Sequence, residues 1–212
     1  MTLRSVLLFC FFHWSVSNFG FQTDGSDTNH LQNEDFELVK DVHNIKIYHK
    51  VNRKKGYIEY KATTILDESD MERVLNFFVD YQSHPLWVYN CIESNIEKHN
   101  GKTYLYQICK SPWPLKNRDL SVAVETQKID NSTVTVNFVS RPNALEKNTG
   151  NVRIEDFYSS WLVQQLKDKV MVTVYASFDP KLSMGNFMLK SYTTKIPFET
   201  LKNLKALYPP KM

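Results

Sequence analysis

Residues 91–109 read CIESNIEKHNGKTYLYQIC and consist of two strand-like runs on either side of Asn100-Gly101. Both turn residues tolerate a positive φ, so the pair is typical of a tight β-hairpin. A three-residue loop would place Cys91 and Cys109 directly opposite each other, whereas a two-residue loop would place them one step out of register. The segment predicts a hairpin and leaves two alternatives for the cysteines, a disulfide or two buried thiols.

Further strand-like runs extend from this hairpin in both directions. Upstream, two alternating runs flank a basic turn at residues 52–56 and predict a first hairpin. Downstream, short turns join most of the runs, so chain neighbours are expected to pair as an antiparallel meander. The runs span residues 45–51, 57–65, 91–98, 103–110, 119–128, 133–140 and 151–179, the last broken near 167–169.

Helices are expected before and after the long meander. Ser69 to Glu72 form a capping box, and the apolar residues that follow recur at the spacing of one helix face. A short helical turn is expected at Leu86-Trp87. Residues 183–207 repeat apolar side chains at helical spacing, and Pro197 is expected to kink or break that helix. This order predicts an α+β domain in which a curved sheet packs around a C-terminal helix.

The composition excludes several function classes. The 212 residues carry a net charge of +3 and are 42% hydrophobic and 23% charged, which is typical of one soluble globular domain. No run of clustered Lys and Arg indicates nucleic-acid binding. The six glycines fit neither GxGxxG nor GxxxxGK, and the three Cys and six His show no metal-ligand spacing. No nucleotide, metal or other cofactor is expected.

The first residues predict export. Arg4 supplies a basic start, residues 6–12 an apolar run, and Ser15-Val16-Ser17 a small-x-small cleavage site. We therefore expect a signal peptide at 1–17, a flexible leader at 18–35 and the folded domain at 36–212, in a periplasmic or secreted protein. An oxidising compartment would favour the disulfide between Cys91 and Cys109.

The run KSPWPLKNRD at residues 110–119 resembles the proline-rich loop ending in Asn-Arg-Asp of the phosphatidylcholine-transfer branch of the START domains, the family named after the steroidogenic acute regulatory protein. Further matches follow in the family's order and extend over residues 35–207. They are Trp87, Gly150-Asn151-Val152-Arg153, Trp161, Asp179-Pro180 and the final amphipathic helix. The chain departs from many relatives at 181–185, which read KLSMG.

This resemblance implies a helix-grip fold, with a curved antiparallel sheet wrapped around a long C-terminal helix and an internal lipid cavity. It implies a non-catalytic carrier that transfers one lipid, with a phospholipid, a sterol and a fatty acid all open as the ligand. The motif spacing puts Leu105 and Val124 where sterol-binding members have a buried acid-base pair, so no partner for a sterol hydroxyl is expected. The cavity candidates, for which ordinary core packing is the alternative, are Trp87, Leu105, Gln107, Val122, Val124, Val136, Phe138, Trp161, Val172 and Val174.

A gate over the cavity is expected between the 111–117 loop and the C-terminal helix. Tryptophan favours membrane-water interfaces, so Trp113 is expected to make a transient contact with a membrane surface. The protein itself is expected to be a monomer. The alternative is that Trp113 packs inward as a loop anchor. The gate candidates are Pro112, Trp113, Pro114 and Leu115 on the loop and Phe187, Met188 and Tyr192 on the helix, with Lys190 and Lys195 available to lipid phosphates.

Arg118, Arg141 and Arg153 are candidates for a phosphate headgroup, because guanidinium makes bidentate charge-assisted bonds. The alternatives are an ion pair of Arg118 with Asp119, and of Arg153 with Glu155 or Asp156.

An enzyme is not expected, since no acid-base pair is placed by pattern and the turn residues His84 and His99 are expected to be solvated. Two other functions stay open. One is an enzyme of the cyclase or aromatase type, which the wider helix-grip superfamily contains. The other is a module that presents a lipid or pigment to a protein partner.

Overall fold

The computed structural model describes residues 36–50, 57–181 and 186–209, and for residues 186–191 the backbone alone. The expected signal peptide, the leader and the turn at 52–56 lie outside these residues. The strands are β1 Phe36–Val42, β2 Ile45–Lys50, β3 Ile58–Leu66, β4 Cys91–His99, β5 Lys102–Cys109, β6 Arg118–Lys128, β7 Thr133–Ser140, β8 Val152–Arg153, β9 Phe157–Gln165 and β10 Val170–Phe178. The helices are α1 Met71–Val79, α2 His84–Trp87 and α3 Asn186–Ala206.

The strands form one sheet in the order β1-β2-β3-β10-β9-β7-β6-β5-β4. Every neighbouring pair in this order is antiparallel, and the short β8 adds a parallel pair beside the start of β6. Helix α3 packs against β2, β3 and α2, while α1 contacts β9. The expected α+β architecture, an antiparallel sheet with a long C-terminal helix, is confirmed.

The hairpin at 91–109 combines features of both expected registers. Asn100 and Gly101 have φ angles of 49° and 73° and form a two-residue turn between β4 and β5. Such a turn alone would leave the cysteines out of register. A bulge between Cys91 and Glu93 shifts the strand by one residue, so Cys91 lies directly opposite Cys109.

Strand β1 was not expected from the sequence. Its residues, FELVKDV, lack strict alternation, and most of them are exposed because the strand lies at the edge of the sheet. It joins β2 through His43-Asn44, which have φ angles of 57° and 60° and form a second two-residue turn. In this hairpin the two-residue turn indicates the strand pairing, whereas the sequence of β1 does not.

Helix α3 runs through Pro197 without a break, so the expectation of a break there is wrong. Phe198 and Leu201, which follow the proline, are 7% and 0% exposed. Burial of these side chains against the sheet offsets the hydrogen bond that proline cannot donate. Among the helices in the described ranges, none combines the length and the apolar character needed to cross a membrane.

The N-cap of α1 is Asp70, so the expected assignment of Ser69 as the capping residue is wrong. The backbone N–H of Glu72 donates to Asp70 Oδ1 at 2.9 Å. Glu68 lies two residues before the cap and accepts from the backbone N–H groups of Ser69 and Asp70. The acidic side chains therefore satisfy the free donors at the start of the helix.

Replacement of the capping residue tests this assignment. Asp70→Ala should lower the free energy of unfolding by about 1 kcal/mol, because it leaves a helix N–H without an acceptor. Ser69→Ala is the matched control and should change stability by less than about 0.5 kcal/mol. Urea unfolding at neutral pH measures both, and a larger loss for the serine variant would contradict the assignment.

Candidate functional site

A cavity of about 160 Å³ lies between one end of the sheet and the helices α2 and α3. Its sheet wall comes from the beginnings of β3, β6 and β9 and the ends of β5, β7 and β10, which meet at the same end of the antiparallel sheet. Most of its surface is apolar. The residues that form it are Ile58, Tyr60, His84, Trp87, Val88, Tyr89, Asn90, Gln107, Cys109, Lys110, Ser111, Arg118, Leu120, Phe138, Ile154, Phe157, Ser159, Trp161, Phe178, Pro180, Tyr192, Ile196 and Thr200.

An outer chamber of about 310 Å³ adjoins this cavity, and we call it the mouth. The two share Tyr89, Asn90, Lys110, Ser111 and Tyr192, while Pro112 and Lys195 line the mouth alone. The start of the 111–117 loop and helix α3 therefore face each other across the mouth.

The cavity candidates fall into two groups. Trp87, Gln107, Phe138 and Trp161 line the cavity. Leu105, Val122, Val136, Val172 and Val174 are buried in the core, Val124 is half-buried, and none of the six is among the lining residues.

Register explains why the six lie away from the cavity. Directly opposed residues share a face of a sheet, and the pairs Leu105–Val122, Val124–Phe138 and Val136–Trp161 place these positions on the face that the cavity also uses. The cavity occupies only one end of that face. Alternation along a strand therefore indicated the correct face, but it carries no information about depth along the strand.

Three aromatic rings pack together at the inner end of the cavity. Phe78 of α1 contacts Trp161 with ring centroids 5.0 Å apart and Trp87 at 5.3 Å, and the two tryptophans are 5.6 Å apart. All three contacts are edge-on, the geometry that aromatic pairs favour. Trp87 and Trp161 line the cavity and Phe78 does not, so this cluster separates the cavity from the solid core.

His84 is a cavity residue that the sequence reasoning missed. The expectation that it is solvated is wrong, because it is only 2% exposed. Its Nε2 lies 3.2 Å from the carbonyl oxygen of Phe78, and the Gln107 amide donates to its Nδ1 at 2.9 Å. Burial lowers the pKa of His84 to about 4, so the imidazole is neutral at physiological pH. No local sequence signal distinguishes this histidine from one in an exposed turn.

Arg118 connects the 111–117 loop to the segment that leads into α3. It lines the cavity, is 6% exposed, and donates to the carbonyl oxygens of Lys116 at 2.6 Å, Lys181 at 2.9 Å and Pro180 at 3.2 Å. The expected ion pair with Asp119 is wrong. Successive residues of a strand point to opposite faces of the sheet, so the two side chains diverge.

Arg153 pairs with Asp119 and does not line the cavity. The pair is 2.8 Å apart and fully buried on the outer face of the sheet. Arg153 also donates to the carbonyl oxygens of Pro142, Leu145 and Glu146. These contacts replace the pairing with Glu155 or Asp156 that was expected, and they give Arg153 a structural position.

Arg141 is exposed and lies 3.8 Å from Glu125. Neither Arg141 nor Arg153 reaches the cavity or the mouth, so Arg118 alone of the three headgroup candidates is at the site.

The loop opposite α3 carries an exposed tryptophan. Trp113 is 93% exposed and Leu115 is 39% exposed, so the alternative in which Trp113 packs inward as an anchor is wrong. Pro112 and Tyr192 line the mouth from the two sides. Phe187 and Met188 belong to α3, but their side chains lie outside the described part of the chain.

Cys91 and Cys109 are free thiols in this structure. Burial raises the pKa of Cys91 to about 11 and that of Cys109 to about 12, so both stay protonated at neutral pH. Cys91 Sγ donates to the carbonyl oxygen of Glu93 at 3.3 Å, and Cys109 lines the cavity. A thiol with such a pKa is a poor nucleophile.

The groups that line the two chambers are mostly apolar, with a few polar side chains among them. No Asp or Glu is among the described residues that line the cavity or the mouth. Within the described ranges no group of three or more His, Cys, Asp and Glu side chains could hold a metal ion. The site offers apolar surface and a few polar groups that can fix the orientation of a ligand.

Several known proteins are similar to this chain, although no protein-family model matches it. An uncharacterized protein of Pseudomonas aeruginosa is 25% identical over 175 residues, or 82% of this chain and 86% of that protein. Human phosphatidylcholine transfer protein is 23% identical over 139 residues, or 63% of this chain and 64% of its own length. The solved fragment of the STAR-related lipid transfer protein from Xanthomonas axonopodis has a TM-score of 0.74 at 24% identity, covering 82% of this chain and 99% of the fragment.

The chain has the START helix-grip fold. The resemblance carried by residues 110–119 and by the ordered matches is thereby confirmed for the fold. The START fold also occurs, at a TM-score of 0.50 and 8% identity, in the ARO/CYC di-domain protein of the steffimycin biosynthetic pathway. The fold alone therefore does not distinguish a carrier from an enzyme. That distinction depends on which side chains line the cavity.

The lowered pKa of His84 predicts a loss of stability in acid. The unfolded histidine titrates near its usual value of about 6.5, so as the pH falls below that value the unfolded state binds a proton that the folded state excludes until about pH 4. Between pH 7 and pH 4.5 this difference should cost about 2 to 3 kcal/mol. Urea unfolding of His84→Asn should show a correspondingly smaller acid-dependent loss.

His99→Asn, which removes an exposed histidine, is the matched control and should keep the full acid-dependent loss. An NMR titration of the His84 ring gives the pKa directly. A value near 6.5 would contradict a buried, neutral imidazole.

The two arginines outside the cavity should respond very differently to substitution. Arg153→Gln leaves the buried Asp119 carboxylate without its partner and should lower the free energy of unfolding by about 3 to 5 kcal/mol. Arg141→Gln removes an exposed ion pair and should cost less than about 1 kcal/mol. Chemical denaturation compares the two, and equal losses would contradict the structural position of Arg153.

Proposed function

We propose that this protein is a non-catalytic lipid carrier that holds one lipid in the cavity and releases it through the mouth. The observation that carries the proposal is an apolar cavity, between the sheet and α3, whose mouth lies beside the exposed Trp113. The similarity to lipid transfer proteins of the same fold supports it.

The cavity provides the driving force for lipid uptake. Each methylene group that leaves water is stabilised by about 0.8 kcal/mol, so apolar walls compensate an acyl chain for leaving a bilayer. The cavity of about 160 Å³ is smaller than typical ligand pockets of about 300 to 1,000 Å³. Uptake of a lipid therefore requires its walls to move apart.

The movable walls in this proposal are the 111–117 loop and the first half of α3. Arg118 bonds to the carbonyl oxygen of Lys116 on the loop side and to those of Pro180 and Lys181 on the helix side. In this proposal Arg118 holds the loop and the segment before α3 together through hydrogen bonds that can exchange with those of a ligand. The inner cavity adds one more donor, since the buried Trp87 Nε1–H has no acceptor among the described residues and a lipid oxygen would provide one.

Membrane contact in this proposal is made by the 111–117 loop. Trp113 and Leu115 expose apolar surface next to Lys110 and Lys116, a combination that suits the interface between lipid headgroups and acyl chains. Docking through this loop would bring the mouth to the membrane surface.

Catalysis is not part of the proposal. His84, the histidine of the cavity, is neutral and has both ring nitrogens engaged with Phe78 and Gln107. Asp80, whose charge acts on His84, is not a lining residue, and no carboxylate is among the described residues that line the cavity, so that lining offers no general acid-base pair.

We also propose that the protein is exported as a monomer after removal of residues 1–17, because those residues have the three regions of a signal peptide. Mass spectrometry of the protein from its own host gives the mature N-terminus, the oligomeric state and the oxidation state of Cys91 and Cys109. Recovery of the chain with Met1 intact would overturn export.

Removal of the exposed indole tests the transfer mechanism. Trp113→Ala should weaken binding to vesicles of phosphatidylcholine and phosphatidylglycerol, and lower lipid transfer between them, by roughly tenfold or more, because burial of a large apolar side chain contributes about 1.5 kcal/mol or more. The urea midpoint should not change, since 93% of Trp113 is exposed in the folded state.

Leu166→Ala is the matched control for this variant. Leu166 is 37% exposed and lies in the turn between β9 and β10, at the opposite end of the sheet from the mouth. Its removal should leave vesicle binding and transfer unchanged. Equal losses in both variants, or none in either, would rule out docking through the 111–117 loop.

A further inference from the structure

Two stretches of the sequence that each contribute residues to the mouth have an unusual charge balance. Residues 102–118 and 181–198 together contain seven Lys and Arg and no Asp or Glu, whereas the whole chain has 26 basic and 23 acidic residues. The bias is therefore a property of this region and not of the composition.

Three of these cations lie at the site. Lys110 and Lys195 line the mouth from opposite sides, and Arg118 lines the cavity behind them. Glu199 attracts the Lys195 ammonium from outside the two chambers, but no carboxylate is among the described residues that line them. The nearly buried Trp87 adds an unpaired N–H donor deeper in the cavity. The charged groups at the site are cationic, and Trp87 adds a donor without an acceptor.

A choline headgroup would need the opposite arrangement. Quaternary ammonium groups are held by carboxylates or by the faces of aromatic rings. Tyr89 and Tyr192 present such rings at the mouth, and the ammonium of Lys195 already lies over Tyr89, 5.6 Å from the ring centroid. The protein's own cation thus occupies that aromatic face and repels a second cation from it.

We propose that the lipid carried by this protein has a net negative headgroup, a phosphate monoester or a carboxylate, which is bound at the mouth by Lys110 and Lys195. This selectivity rests on the proposed carrier function and narrows it to a class of lipid. A zwitterionic phosphocholine lipid, in which the added cation cancels the attraction, is disfavoured.

A competition within a single membrane tests the selectivity without interference from membrane docking. The protein is incubated with vesicles of equal parts dioleoylphosphatidylcholine, dioleoylphosphatidic acid and oleic acid, separated from them, and its bound lipid is identified by mass spectrometry. Because all three lipids share one surface, docking affects them equally. We expect at least tenfold enrichment of phosphatidic acid or oleic acid over phosphatidylcholine.

Two variants connect the enrichment to the mouth. Lys110→Gln combined with Lys195→Gln should reduce the enrichment to less than threefold while total bound lipid is retained. Lys128→Gln, which removes an exposed lysine at the far end of β6, is the control and should keep the enrichment of the wild type. Urea unfolding verifies that all variants are folded.

The outcomes separate this inference from the proposed function. Bound lipid with no enrichment of an anionic species, or enrichment that survives the double substitution, overturns the inference and leaves the carrier function standing. Absence of any bound lipid from folded protein overturns the carrier function itself. Calorimetry with inorganic phosphate tests whether Lys110 and Lys195 bind a free anion instead of a lipid headgroup. Tight phosphate binding without enrichment of an anionic lipid would overturn the lipid assignment.

Discussion

Helix α3 covers the inner face of the sheet unevenly, and the rest of the molecule depends on that asymmetry. Its C-terminal half inserts Leu201 and Leu204 into the core, where both are fully buried. Its earlier residues Tyr192, Ile196 and Thr200 instead form a wall of the cavity. One helix thus closes the core at one end of the sheet and leaves space at the other, and the aromatic cluster of Phe78, Trp87 and Trp161 marks the boundary between them.

This boundary explains how a stable fold can contain a space for a ligand. The stability comes from the solid end, where apolar side chains from the sheet and from α3 are fully buried. The other end uses hydrogen bonds, with Arg118 holding together the 111–117 loop and the segment that leads to α3. Apolar packing is lost steeply when surfaces separate, whereas hydrogen bonds can be exchanged for others at little net cost. The opening that the proposed carrier function requires would therefore leave the core intact.

Local patterns predicted the elements of this fold well and their tertiary contacts less well. Asn100-Gly101 identified the central hairpin, and strand alternation identified the face of the sheet that bears Val172 and Trp161. The pattern could not identify which of the two lines the cavity, because depth along a strand is set by where helices from distant parts of the chain pack. His84 shows the same limit, since it is buried beside its hydrogen-bond partner Gln107, which lies 23 residues away in the chain. Asp119 pairs with Arg153 and not with the adjacent Arg118, because successive residues of a strand point to opposite faces of the sheet. The sequence alone does not show that Arg153 lies on the same face as Asp119.

The most direct test of a lipid-filled cavity is native mass spectrometry of the protein purified from its own host, followed by identification of whatever is bound. One lipid per chain, retained through purification, is the expected result. Folded protein that carries no lipid and takes up none from vesicles would contradict the carrier function. It would favour the alternatives, a module that binds a protein partner or an enzyme with the START fold.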